Sequence, residues 1–156
     1  MAEFFELTAY CKNGLLKSKK VDLSDIIKTS EKVYFDVVNH GGYTAYTVNF
    51  ENLVIHTDTL DTLAEIAKIM FDKLNDSLCV SGVYELTEYN LIGVNTLKKL
   101  DSILFKFPLL FFRRGEEKNN KPYKTVNGVV IVYNEKEQDL FGNDYKNEYG
   151  SARHSQ

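Results

Sequence analysis

From Asp58 to about Asp76, apolar side chains recur at helical spacing in an unusually broad band. Leu60, Leu63, Ala64, Ala67, Met70, Phe71 and Leu74 form it, and Ile66 and Ile69 widen it. Asp61, Thr62, Glu65, Lys68, Asp72 and Lys73 fill the remaining arc, with Lys68 and Asp72 spaced as an i,i+4 pair. A band of that width suits a helix lying across a sheet. Asp58 is the expected N-cap, and Asp61 puts negative charge where the helix dipole favours it. The helix is expected over 58–75.

The sheet is expected on both sides of this helix. Val33, Phe35 and Val37 alternate with Tyr34, Asp36 and Val38. Asn39-His40-Gly41-Gly42 supplies a tight reversal, and Tyr43 to Phe50 alternates again. Leu53 to His56 reads as a short third strand, completing an N-terminal meander. Phe5, Leu7, Ala9 and Cys11 suggest an opening strand, although a helix through Phe4, Leu7, Tyr10 and Cys11 fits nearly as well. Asp22 is placed to cap a short turn through Ile27.

Val80 to Ile92 reads as another strand. Asn95 is the expected cap of a second helix over 95–107, which carries Leu97, Leu100, Leu104 and Phe107 on one face and stops at Pro108. Leu109–Phe112 and Val129–Tyr133 are apolar enough to pair as a closing hairpin around a polar arm. Asn127-Gly128 offers a tighter hairpin or a bulge within it. The expected fold is therefore α+β, a mainly antiparallel sheet packed by two main helices. With no repeat or linker, residues 1–150 are expected to form one domain. Phe141, Tyr145 and Tyr149 are candidates for docking on it, and 151–156 are expected to form a disordered tail.

A length of 156 residues and 44% hydrophobic content support one real core without a metal or disulfide staple. Cys11 and Cys79 belong to no ligand spacing and are expected as two buried thiols. The acidic N-terminus lacks the pattern of a secretory signal, and the apolar run near Phe107–Phe112 is too short to span a bilayer. A cytoplasmic location, in the protein's own cell or an infected host, is the expectation. Sixteen lysines against three arginines, no tryptophan and many Asn, Tyr, Phe and Ile point to an A/T-rich genome.

Net charge is −3, unevenly spread: residues 111–125 carry five cations against Glu116 and Glu117. Arg113, Arg114, Lys118, Lys121, Tyr123 and Lys124 are the candidate binding residues, able to grip a partner's acidic face or a phosphate backbone. One such arm is narrower than the basic face of a general nucleic-acid binder. Glu116-Glu117-Lys118, with Asp101 upstream, resembles on paper the acid–acid–lysine pattern of a nuclease superfamily. That chemistry needs a rigid strand, whereas Gly115 precedes the motif and Asn119-Asn120 follow it.

Asp36, Glu85, Glu88 and His56 are the remaining candidates for acid–base or metal chemistry. Glu85 and Glu88 have odd separation along a strand, His56 precedes a helix, and no histidine pair has zinc spacing. No phosphate loop, nucleophile elbow or dinucleotide fingerprint is present, and no cofactor or metal is implied. Tyr34, Tyr43, Tyr46, Tyr84, Tyr89, Tyr123, Tyr133, Tyr145 and Tyr149 are too many to bury economically, and tyrosine favours interfaces. The expectation is a non-enzymatic protein that binds another protein: a viral or mobile-element inhibitor of a host defence system, or an immunity-type protein. The alternatives are a small metal-dependent nuclease or nucleotide-acting enzyme, and a virion or assembly component.

Overall fold

The structure, a computed structural model, describes residues 4–12, 32–51, 53, 55–84, 91–137 and 140. Within them the two alternating runs form a hairpin as expected, β2 (Val33–Asn39) and β3 (Tyr43–Glu51), closed by His40 N–H donating to the Tyr43 carbonyl at 2.9 Å. Of the third strand expected over Leu53 to His56, Ile55 alone among the described residues keeps a β-bridge. The place beside β3 belongs to the opening strand, β1 (Phe4–Lys12), which pairs antiparallel with β3 throughout its length.

Central position explains why β1 was ambiguous as a sequence. Phe5, Leu7, Ala9 and Cys11 enter the core on one face, and Thr8 and Tyr10 are fully buried on the other. A strand covered on both sides loses the polar half of its alternation. The far edge of β1 pairs with β4 (Ser77–Tyr84), which starts three residues before the expected strand. β5 (Leu109–Arg113), β6 (Lys124–Val126) and β7 (Val129–Tyr133) complete one antiparallel sheet in the order β2-β3-β1-β4-β5-β7-β6.

Both hairpins open to the Asn127-Gly128 pair coexist. Leu109 to Arg113 pair with Tyr133 to Val129, and Asn127-Gly128 also turns β6 tightly onto the outer side of β7. Both turn residues have positive φ, 50° and 82°, the backbone that a two-residue hairpin needs and that Asn-Gly tolerates best.

Helix α1 (Thr57–Lys73) lies across one face of the sheet. Its band of Leu60, Leu63, Ala67, Met70 and Leu74 packs on Phe5, Leu7, Val48, Phe50, Val80 and Phe111. Its N-cap is His56 rather than Asp58. His56 N–H donates to Thr59 Oγ1 at 3.2 Å, which draws the helix start back and leaves Asp58 in the first turn facing the dipole.

The opposite face is covered by α2 (Leu97–Ile103) and a 3-10 turn (Leu104–Lys106), ending before Pro108. Leu100 and Phe107 pack there on Tyr10, Cys79, Leu110 and Val132. Thr96, not Asn95, caps α2, accepting from Lys99 N–H at 3.1 Å. The Asn95 carbonyl instead accepts from Gly42 N–H at 2.7 Å, tying the segment before α2 to the β2–β3 turn.

Candidate functional site

The arm between β5 and β7 is joined to the body by its own cations. Arg113 turns inward and donates to the carbonyls of Phe71, Leu74, Asn75 and Ser77, from the last turn of α1 to the start of β4. Lys124 pairs with Asp61 on α1, and Lys118 with Asp101 on α2 at 3.7 Å. Tyr123 is half-exposed and packs edge-on against Tyr133 at 6.0 Å, while its N–H donates to the Ile131 carbonyl. Among the described residues, Arg114 and Lys121 are the arm cations without an ion pair. Of the six candidate binding residues, Arg113 is partly buried, and the other five are exposed, two of them, Lys118 and Lys124, in ion pairs within the chain.

Beneath the arm lies a cleft of about 650 Å³ between the start of β4, α2 and residues 113–120. Asp101, Glu116 and Lys118 all line it, as the acid–acid–lysine pattern requires. Their geometry differs from that pattern in two respects. Glu116 pairs with Arg113 at 3.6 Å and Asp101 with Lys118, so each carboxylate faces a different cation. Glu116 and Lys118 also sit in successive turns, with Lys118 at φ 53°, and not on a strand. Among the described residues no three His, Cys, Asp or Glu side chains are grouped to hold a metal ion.

Glu85 and Glu88 lie outside the described residues. Asp36 is exposed in the middle of β2, on the sheet face away from α1, and His56 is exposed at the start of α1. These two candidates are therefore on opposite sides of the sheet. Cys79 and Cys11 are free thiols buried against opposite faces, and burial pushes each up to about 12. Both stay protonated, and therefore weakly nucleophilic, at neutral pH.

Tyrosines among the described residues divide between core and surface, with Tyr84 and Tyr133 partly buried. Tyr10, Tyr43 and Tyr46 are fully buried and burial raises all three, Tyr43 to about 12. Tyr10 shares a 2.9 Å hydrogen bond with Ser81, and Tyr43 OH donates to the Val94 carbonyl at 2.9 Å. Tyr34 and Tyr123 are the exposed tyrosines among the described residues, and they stand at opposite ends of the strand order. No continuous tyrosine surface joins them among the described residues.

A different surface forms at the β2 edge, which no other described strand covers. Tyr34 and Val38 are 46% and 42% exposed, and Phe4 lies beside Tyr34 with ring centres 6.1 Å apart. Inward from Val38 runs a groove of about 530 Å³. Its floor is Glu6, Asp36, Ala45, Thr47 and Asn49, and its wall is Leu91 to Asn95. Gly42 and Tyr43 hold that wall through their hydrogen bonds to Asn95 and Val94. His40 stacks on Tyr43 at 4.8 Å at the groove's end, and burial lowers its pKa, so it is neutral at pH 7. The sequence held one signal of this edge: Asp36 in the middle of an otherwise apolar strand, a device that protects exposed strand edges.

No helix among the described residues is long and apolar enough to cross a membrane. Comparison with known proteins gives no match among family models, curated proteins or solved structures.

Proposed function

We propose that this protein works by binding another protein, without chemistry of its own, and that the contact runs along β2 rather than the basic arm. The observation that carries this is the exposure of Tyr34 and Val38 along the seven-residue β2, with Phe4 of β1 reaching beside Tyr34, next to a formed groove. Apolar side chains next to strand backbone that no other described strand pairs with are the two elements from which β-strand addition is built. The arm's cations, by contrast, are mostly satisfied within the chain. The A/T-rich codon bias favours a virus- or mobile-element-encoded inhibitor of a host defence system, or an immunity-type protein, as the form of this function.

The test is retention of a partner from the natural host's lysate at physiological salt by three proteins. The intact chain and a Lys121→Glu variant are expected to retain the same partner, and Tyr34→Lys/Val38→Lys to lose it. Retention by the edge variant would move the contact elsewhere, and retention by none would remove the basis of the proposal.

A small metal-dependent nuclease is the second reading, favoured by the meeting of Asp101, Glu116 and Lys118 in one cleft. Cleavage of labelled DNA or RNA in magnesium or manganese, abolished by Glu116→Gln, would establish it.

A further inference from the structure

The phase of the β2–β3 hairpin is set at both ends. His40 N–H donates to the Tyr43 carbonyl at 2.9 Å, and Glu51 N–H to the Lys32 carbonyl at 3.1 Å. Antiparallel pairs alternate between bonded and non-bonded. Between those ends, Tyr34, Asp36 and Val38 therefore turn their backbone groups toward β3, and Val33, Phe35 and Val37 turn theirs outward. The side chains of Tyr34, Asp36 and Val38 stand exposed on the groove side of the sheet.

One outward donor is already occupied. Val37 N–H donates to Asp36 Oδ1 at 2.9 Å. A strand that pairs with Val37 must displace this carboxylate, which then lies directly across from one side chain of the newcomer. An acidic residue there repels it, and an apolar one gives nothing back for the lost hydrogen bond. A lysine or arginine makes a cross-strand ion pair. A second copy of this chain paired antiparallel about the middle of β2 fails the condition, because that register sets Asp36 against Asp36. The groove extends the preference, since Glu6 shares its floor with Asp36 and Val38 and Ile92 form apolar lips.

We infer that the β2 edge accepts an extended segment carrying a basic residue opposite Asp36 and apolar residues beside Tyr34 and Val38. Asp36 is the gate that rejects other strands. This rests on β2 being the binding surface, as proposed above, and adds the chemistry of what binds there.

The probe is a pair of fluorescent nonapeptides, threonine alternating with valine, that differ only in Lys or Glu at the central groove-facing position. Fluorescence anisotropy against the full chain at low salt is expected to show the Lys peptide binding about ten-fold more tightly. Asp36→Asn should bring the two peptides within about two-fold of each other. Equal binding to the wild type, binding by neither peptide, or self-association through β2 that excludes both would overturn the inference. Partner capture by the edge variants reads the broader proposal separately. Capture lost in those variants without a Lys preference here removes the gate alone, and capture unchanged in them removes β2 as the surface.

Discussion

The Arg113 guanidinium lies 4.7 Å from the centre of the Phe71 ring, so the end of β5 caps the end of α1. Besides the helix-end carbonyls, it reaches Ser77 Oγ at 3.1 Å. α1 runs out through Leu74-Asn75-Asp76 with no glycine to fold back on its last carbonyls, which need a donor from elsewhere. A half-buried guanidinium supplies several donors at once, with charge favoured at a helix C-terminus. Arg113→Ala is expected to cost about 2–3 kcal/mol, from lost charged hydrogen bonds and the ring contact. Arg113→Lys should recover less than half of that, because one ammonium cannot span the same carbonyls. Urea midpoints for the three proteins check both statements.

Cys11 and Cys79 sit on adjacent strands but point to opposite faces, so the folded chain keeps two separate thiols. Each is raised by burial from an ordinary 9.0 to about 12. The folded state therefore holds protons that the unfolded chain releases first. Their contribution is complete below pH 9 and is lost as pH rises from 9 to 12, by up to about 1.4 kcal/mol per pH unit for each thiol. Tyr10, also raised by burial, adds to the fall above its ordinary 10.0. Urea unfolding between pH 8 and pH 11 should show this decline, with a shallower slope in Cys11→Ala/Cys79→Ala. A thiol reagent at pH 7.5 should label neither cysteine until urea is added.

Lys124 and Asp61 tie the arm to α1 from side chains that are 40% and 50% exposed. Water and salt screen such a pair, and fixing two mobile side chains costs entropy. A double-mutant cycle with Lys124→Ala and Asp61→Ala is expected to give a coupling below about 1 kcal/mol that shrinks further in high salt. The arm's basic character is then consumed locally without adding much to global stability.

Elements that bury one clear face were readable from sequence. The α1 band, the β2–β3 alternation and the Pro108 stop all appear as expected, because each depends on local periodicity and turn chemistry. The sheet order was less accessible. β1 lies between β3 and β4, and burial of Tyr10 and Thr8 on its second face erased the alternation that would have announced a strand. The basic arm illustrates a different limit. Arg113 and Lys124 are ordinary cations in the chain and become structural only when α1 folds against β5 and β6. Tyr43 and Tyr46 likewise look like interface residues until the second helix and the Leu91–Asn95 segment cover one face and α1 the other. Asp36 reads in the sequence as a candidate acid, and its place at an edge emerges only from the sheet order, in which no other described strand lies beyond β2.

Gly42 tests how the groove is built. A Cβ there would lie 2.7 Å from the Asn95 carbonyl oxygen and 2.8 Å from the Thr96 Cα, both backbone atoms that cannot rotate aside. Gly42→Ala must therefore push back the 91–96 segment, which strains the Gly42–Asn95 hydrogen bond, the Tyr43–Val94 bond and the Thr96 cap of α2. Overpacking of this kind typically costs about 1–3 kcal/mol. Gly93→Ala is the control, since Gly93 has φ +83° but nothing within 4 Å of the added atom, so its cost is conformational alone. Gly42→Ala is expected to be the more destabilising in urea, and to speed amide exchange at Leu100, whose N–H bonds to the Thr96 carbonyl. Equal exchange at Leu100 in the two variants would mean that the groove wall and the start of α2 move independently.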